Sequence, residues 1–179
     1  MLNSRQLRDI AEDEAKVLAD ELVRQPIYIV LEDILDTYNI GGFFRLADGL
    51  GATKIYLCGK TDVPPNPKIT KASIGTYKVV PWEYKKTAGT AIRELKKIKE
   101  MQIVAIEQSE KSVDYRKVNY RFPMAFVFGH ETYGVTKKTL QLVDRVIEMP
   151  MYGINNSLNV MVAAGISMYF ALEKANGKI

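Results

Sequence analysis

Four short apolar runs, separated by amphipathic segments, restrict what this chain can fold into more than any other feature. IYIVLE (27–32), KIYLCG (54–59), IVAIEQ (103–108) and MAFVFG (124–129) are rich in β-branched and aromatic residues. Runs of that length read as strands buried on both faces. TYKVVPW (76–82) and RVIEMP (145–150) read as two more. Helical patterns lie among them. Residues 4–24 place Leu7, Ile10, Ala11, Leu18 and Leu22 on one face and stop at Pro26. Further helices are predicted from Asn39, as N-cap, to Gly51, over 85–101, over the short KKTLQLVD segment, and over 157–175, while KTDVPPNPK reads as a proline loop. Alternating strands and helices predict an α/β fold, a mostly parallel sheet covered by helices on both faces. In such sheets, ligands bind beyond the carboxyl ends of the strands.

A chain of 179 residues is long enough for one domain with a sizeable core. Its single cysteine, Cys58, cannot form an intramolecular disulfide or a thiolate metal cluster, so a reducing cytoplasmic setting and no metal are expected. The N-terminus is charged rather than apolar, unlike a secretory signal. The apolar helix from Ser157 to Leu172 is short for a bilayer span, so no membrane role is expected. Charge is uneven. Residues 1–59 carry 6 basic and 10 acidic side chains, residues 60–121 carry 14 and 7, and residues 122–179 carry 5 and 4. The basic middle fits a polyanion partner such as RNA, and it equally fits a solvated lysine-rich helix.

Three segments carry polar residues that a core does not need. In NIGGFFRLADGLG (39–51), a helical wheel puts Ile40, Phe43, Phe44, Ala47 and Leu50 on a core face and Arg45 opposite, beside Gly41, Gly42 and Gly49. Those glycines leave room around the guanidinium for something to approach the backbone. In VFGHETYGV (127–135), a strand ends at Gly129 and a turn holds Glu131 and Gly134. A carboxylate there suits contact with Arg45 or with a substrate; His130, the only histidine, is read as a polar loop residue. In EMPMYGINNSLNVMVAAGIS (148–167), Asn156 or Ser157 can cap the last helix. Asn159 then stands one turn inside an apolar helix, where an amide needs partners. No G-x-G-x-x-G follows a strand and no P-loop motif occurs, which disfavours a nicotinamide oxidoreductase.

In this order and spacing the three segments resemble the motifs of the SpoU/TrmH group of SPOUT methyltransferases. Asn39, Arg45 and RLADGLG match the first motif, GHETYG the second, and MPMYGINNSLNVMVAAGI the third, over roughly residues 27–172. Met149 and Met161 replace the usual Ile and Ser, and Thr132 follows the glutamate. The resemblance implies transfer of the methyl group of S-adenosylmethionine to a ribose 2′-hydroxyl of RNA. It implies a C-terminal trefoil knot, and a homodimer whose sites are completed across the interface. It divides the chain into an N-terminal helix (1–25) packed on a single SPOUT-type domain (26–179). Arg45 would be the base, helped by an RNA phosphate, or an electrostatic group; Glu131 would orient it, and Asn39, Ser157 and Asn159 would bridge the motifs. The cofactor would be held by Glu107, by Phe128, Gly129 and Gly134, and by Met149, Met151, Gly153 and Leu158, with Met149 and Leu158 sandwiching the adenine. The family's common appended RNA-binding domain has no counterpart in the sequence, which leans the expected target towards tRNA, with rRNA as the alternative. A non-catalytic RNA-binding or assembly protein on the same knot is the rival from another class. The basic helix 85–99 with Lys111, Arg116, Lys117 and Arg121 is a candidate RNA face. Tyr77, Trp82, Tyr84, Tyr115 and Tyr120 are candidates to stack on unpaired bases or to pack.

Overall fold

A computed structural model describes residues 2–179. In chain order the elements are α1 (Ser4–Asp9), α2 (Glu12–Glu21), β1 (Gln25–Glu32), α3 (Thr37–Gly49), β2 (Ala52–Cys58), α4 (Pro67–Ser73), β3 (Trp82–Lys85), α5 (Ala88–Leu95), β4 (Gln102–Ile106), β5 (Val113–Asp114), β6 (Met124–Phe128), α6 (Lys137–Leu140), β7 (Arg145–Glu148) and α7 (Val160–Ala175). The strands form one sheet in the order β3-β2-β1-β6-β4-β7-β5. Every pairing is parallel. The α/β sheet inferred from the alternating runs is therefore present.

The period of two along β1 divides the core. Ile27, Ile29 and Leu31 face one way, into a fully buried cluster with Ile40, Phe43 and Phe44 of α3 and Ala164 and Met168 of α7. Val30 faces the other way, into a cluster with Ala91, Ile92 and Leu95 of α5. Helices thus cover both faces, and the strands read as near-continuous apolar runs because neither face meets water. Among the described residues no helix is long and apolar enough to cross a membrane.

Several expectations are corrected. The N-terminal pattern forms two short helices, broken between Asp9 and Glu12. Helix α3 starts at Thr37, with Asp36 accepting from Tyr38 N at 2.8 Å, so Asn39 is not its cap. The proline loop runs into α4, whose start is set by Asn66, accepting from Lys68 N and Ile69 N, and by Pro67 in the first turn. Residues 76–78 make a 3-10 turn rather than a strand, and β3 begins only at Trp82. Left-handed Ile74 and Gly75 turn the chain here, and Pro81 has no N–H for a ladder. A Cβ on Gly75 would run into the Leu7 carbonyl, so the glycine lets α1 lie directly on this turn. Helix α5 begins at its Thr87 cap, after Lys85 has been taken into β3. Helix α7 begins at Val160 rather than near Ser157. The two-residue β5 is too short for any periodicity to announce.

Candidate active site

Parallel strands emit their following loops at one end of the sheet. Leu31 of β1 lies beside Phe128 of β6, Ala105 of β4 beside Val127, and Ile106 beside Ile147 of β7. The loops after these four strands therefore emerge side by side. Those after β4, β6 and β7 surround a cavity of about 370 Å³ lined by residues 106–108, 129–134, 148, 149, 151, 156–160 and 163. That volume lies within the range of small-ligand sites.

The loop after β6 is folded tightly. Gly134 N donates to the His130 carbonyl at 2.8 Å, and Gly134 has a φ of 67°. A Cβ on Gly129 would strike the backbone of Gly134 and Val135, and one on Gly134 would strike the Glu107 carboxylate. Both glycines are thus required by close approach. The Glu107 carboxylate faces inward, accepting from Val135 N at 2.7 Å and Gln108 N at 2.9 Å. His130 Nδ1 accepts from Thr132 N at 2.9 Å, which leaves the ring's other nitrogen to carry the proton in its neutral form.

One hydrogen-bonded chain ties the three polar segments together. Glu131 accepts from Leu35 N (3.2 Å), Asp36 N (3.1 Å) and the Asn39 side-chain amide (3.0 Å). The Asn159 amide donates to Asn39 Oδ1 at 3.2 Å, and Asn159 Oδ1 accepts from Met161 N at 2.8 Å. Burial alone would raise the Glu131 carboxyl. The Asn39 amide and the loop N–H groups outweigh it and hold the group below the usual carboxylate range. The carboxylate also sits at the N-terminus of α3, where negative charge is favoured. Asn159 is therefore the N-cap of α7, not a residue within an apolar helix. The cap expected at Asn156 or Ser157 is not formed, because the helix begins only at Val160. Ser157 lies at the cavity wall with only its backbone N bonded, to Asn155 Oδ1.

Arg45 faces away from the core, as the helical wheel places it. It is exposed on α3, has no hydrogen-bond or ion-pair partner among the described residues, and does not line the cavity. Glu131 does not touch it: its contacts go to the turn before α3 and to Asn39. Nor do the three glycines serve the guanidinium. Gly41 packs on Ala72 and on Ser73 N of α4, Gly42 on Met161 of α7, and Gly49 beside the Tyr169 hydroxyl. They let helices approach.

Of the other sequence candidates, Glu107, Gly129, Gly134, Met149, Met151 and Leu158 line the cavity. Phe128 is fully buried against Phe43, and Gly153 stands in an exposed loop; neither lines it. Gln108, Tyr133 and Glu148 line it without having been singled out. Gln108 donates to the Asn156 carbonyl, and Glu148 accepts from the Ser112 hydroxyl at 2.6 Å. Position alone signals Gln108 and Glu148: each ends or follows a strand at the carboxyl edge.

The candidate RNA face is only partly available. Lys85 is bound between Glu83 and Glu94, and Arg116 pairs with Asp114. Lys97, Lys99, Lys111, Lys117 and Arg121 have no ion-pair partner among the described residues. Tyr120 is buried with its hydroxyl on the Tyr115 carbonyl, and Tyr115 meets Phe170 edge-on, so both pack rather than stack on a ligand. Among the described residues no group of His, Cys, Asp or Glu has metal-site geometry.

The model of the SpoU rRNA Methylase family matches residues 26–169. The tRNA (guanosine(18)-2'-O)-methyltransferase of Aquifex aeolicus is 30% identical over 179 residues, covering 97% of this chain and 77% of that one. The 23S rRNA (guanosine-2'-O-)-methyltransferase RlmB of Ralstonia nicotianae is 28% identical over 157 residues, covering 88% and 62%. An AdoMet-bound rRNA methyltransferase from Sinorhizobium meliloti superposes with a TM-score of 0.76 at 27% identity, covering 92% and 59%. The chain spans just under two thirds of the length of several relatives it matches.

Proposed function

Because the chain belongs to the SpoU rRNA methylase family, we propose that it transfers the methyl group of S-adenosylmethionine to a ribose 2′-hydroxyl of RNA, with tRNA as the favoured target. The observation that carries this reading is the chain Glu131–Asn39–Asn159, which ties α3 to two separated segments that line one cavity. The Aquifex relative, of which this chain covers 77%, supports tRNA over rRNA.

The cavity suits the cofactor. Gly129 and Gly134 let the loop after β6 fold closely on itself and on Glu107 at the cavity wall, and Met149 and Leu158 supply apolar walls for the base. When bound, the cofactor would supply a sulfonium-activated methyl for the ribose oxygen, the thioether leaving with the sulfur electrons and the hydroxyl proton passing to water. The protein's contribution is positioning of that oxygen and neutralisation of its developing charge. Arg45 is the group for the second task. A guanidinium stays protonated in proteins, so it holds an RNA phosphate and the charged oxygen better than it accepts a proton.

Arg45 reaches a cavity through a second subunit. Helix α7 is apolar on its outward side as well: Val162, Ile166 and Tyr169 are 49, 43 and 45% exposed, and Leu35 and Tyr38 beside α3 are exposed too. A helix apolar all round has a buried partner on every side. A homodimer through these faces gives α7 that partner and sets Arg45 of one subunit beside the other's cavity. The strand order, with β6 between β1 and β4 and β7 beyond β4, suits a C-terminal trefoil knot. Pulled from its ends, a knotted chain stops short of full contour length, which force extension reads. A cytoplasmic location fits the single buried thiol.

The test is incubation with labelled cofactor and total RNA, followed by nucleoside mapping. Label in a 2′-O-methylated tRNA nucleoside is expected. Label on a base, or neither transfer nor calorimetric cofactor binding, overturns the reading; the last outcome favours an RNA-binding scaffold.

A further inference from the structure

A second cavity, of about 440 Å³, lies at the opposite edge of the sheet, between the N-terminal helices and the start of β3. It shares no lining residue with the first. One wall is aromatic and apolar: Trp82, Tyr77 and the Pro64–Pro65 pair. Trp82 and Tyr77 are partly buried against the main core, so their rings are held in place. The other wall is α2, which presents Glu12, Asp13 and Lys16. These three are exposed and have no hydrogen-bond or ion-pair partner among the described residues. They remain able to bond a ligand.

The roof is built, not adventitious. The Lys78 ammonium donates to the Arg8 carbonyl at 3.0 Å and the Ile10 carbonyl at 2.7 Å, which fixes the joint between α1 and α2. Gly75 carries no Cβ where Leu7 crosses it. Arg24 donates to the Val79 carbonyl at 2.6 Å and the Ala52 carbonyl at 3.1 Å, which fixes the end of the arm. Helix α2 is thereby held at the cavity that Tyr77 and Trp82 line.

We propose that this cavity binds one unpaired guanine base of the RNA substrate. Stacking on an aromatic face suits any base. The opposite wall selects among them. Carboxylates accept only, and guanine offers two adjacent donors, N1–H and the N2 amino group, on its Watson–Crick edge. Lys16 donates only, and guanine offers the O6 and N7 acceptors. Adenine and cytosine put a ring-nitrogen acceptor where guanine has N1–H, so a carboxylate repels them there. Uracil has one N–H between two carbonyls. The preference for guanine rests on this lining alone. That the guanine belongs to RNA rests on the proposed function.

Trp82 is the only tryptophan in the chain, so its emission reports this cavity directly. The test titrates the full-length protein, without cofactor, with the pentanucleotides UUGUU and UUAUU, corrected for absorbance. UUGUU is expected to change Trp82 emission with an apparent Kd about tenfold lower than UUAUU, the discrimination of one good bidentate base contact. In the Glu12→Ala/Asp13→Ala double variant the two affinities should converge; both residues are exposed, and an unchanged melting curve shows that the fold is kept. Equal responses from the two oligonucleotides overturn the proposal, as does no response. So does a stronger response to tetramethylammonium, which would make the site a cation cage. Methyl transfer is assayed separately. Guanine-selective quenching without transfer removes the enzymatic reading and leaves the pocket; transfer without selective quenching removes the pocket alone.

Discussion

Single residues divide here into those that build the cavity and one that stands free. Arg45 is the free one: exposed, unpartnered among the described residues and outside its own cavity. Replacing it with alanine should lower methyl transfer about 10²- to 10³-fold, the usual loss for a single charge-stabilising donor. Cofactor binding by calorimetry should be unchanged, and full turnover by the variant would dismiss Arg45 from the reaction. Glu131 is a builder. Three N–H groups point at its carboxylate, so Glu131→Gln sets an amide NH2 against one of them. The carboxylate is partly exposed, and the cost at neutral pH should be about 1 kcal/mol. The sign of the pH dependence follows from its depressed folded-state pKa. That stabilisation is present above the unfolded carboxylate's pKa and is lost as pH falls through the folded value. Melting temperatures of wild type and variant should therefore differ at pH 7 and converge under acid; a gap that widens on acidification refutes the account.

Helix contacts explain features that look chemical in the linear sequence. Gly41 contributes a missing Cβ, because α3 lies directly on Ala72 and Ser73 of α4. Gly41→Ala gains about 1 kcal/mol of intrinsic helix propensity. It also forces a methyl group to within 2.8 Å of Ser73 N, closer than real Cβ contacts come. Overpacking of this kind costs about 1–3 kcal/mol, so denaturant melts should show a net loss; a stabilised variant would mean that α4 moves freely. Helix α7 makes the complementary point. Its inner side holds Ala164, Met168 and Ala171, fully buried, while its outer side is apolar and open to water. Ile166→Glu should convert a dimer to monomers in sedimentation and abolish methyl transfer while each chain stays folded. A wild-type protein that sediments as a monomer, or an active monomeric variant, removes the shared site.

For the whole molecule, charge would decide how the proposed RNA partner is met. The chain carries a net charge of +4, with its basic excess between residues 60 and 121. Part of that excess is consumed internally by Glu83, Glu94 and Asp114. The lysines left without partners would bind through phosphates, so log affinity for RNA should fall linearly with log salt, with a slope of about 0.7–0.9 per contact. A flat salt response would place the RNA elsewhere. The fold itself was legible in the strand runs, because burial on both faces of a parallel sheet needs unbroken apolar stretches, and β1, β2, β4 and β6 have them. The grouping of Asn39, Glu131 and Asn159 was legible only through motif order, since nothing in composition joins residues 92 and 120 positions apart. What the sequence determined by itself is therefore local: which segments are buried, which turns need glycine, and where capping residues are available. What only the tertiary structure decided is which partners those residues take. Asp36 and Asn159 became the caps, the glycines of α3 became helix contacts, Glu131 turned to the chain before α3 instead of to Arg45, and α2 came to share a cavity with Trp82. Partner choice depends on which strand ends lie side by side, and strand order is set by long-range packing that no local periodicity encodes.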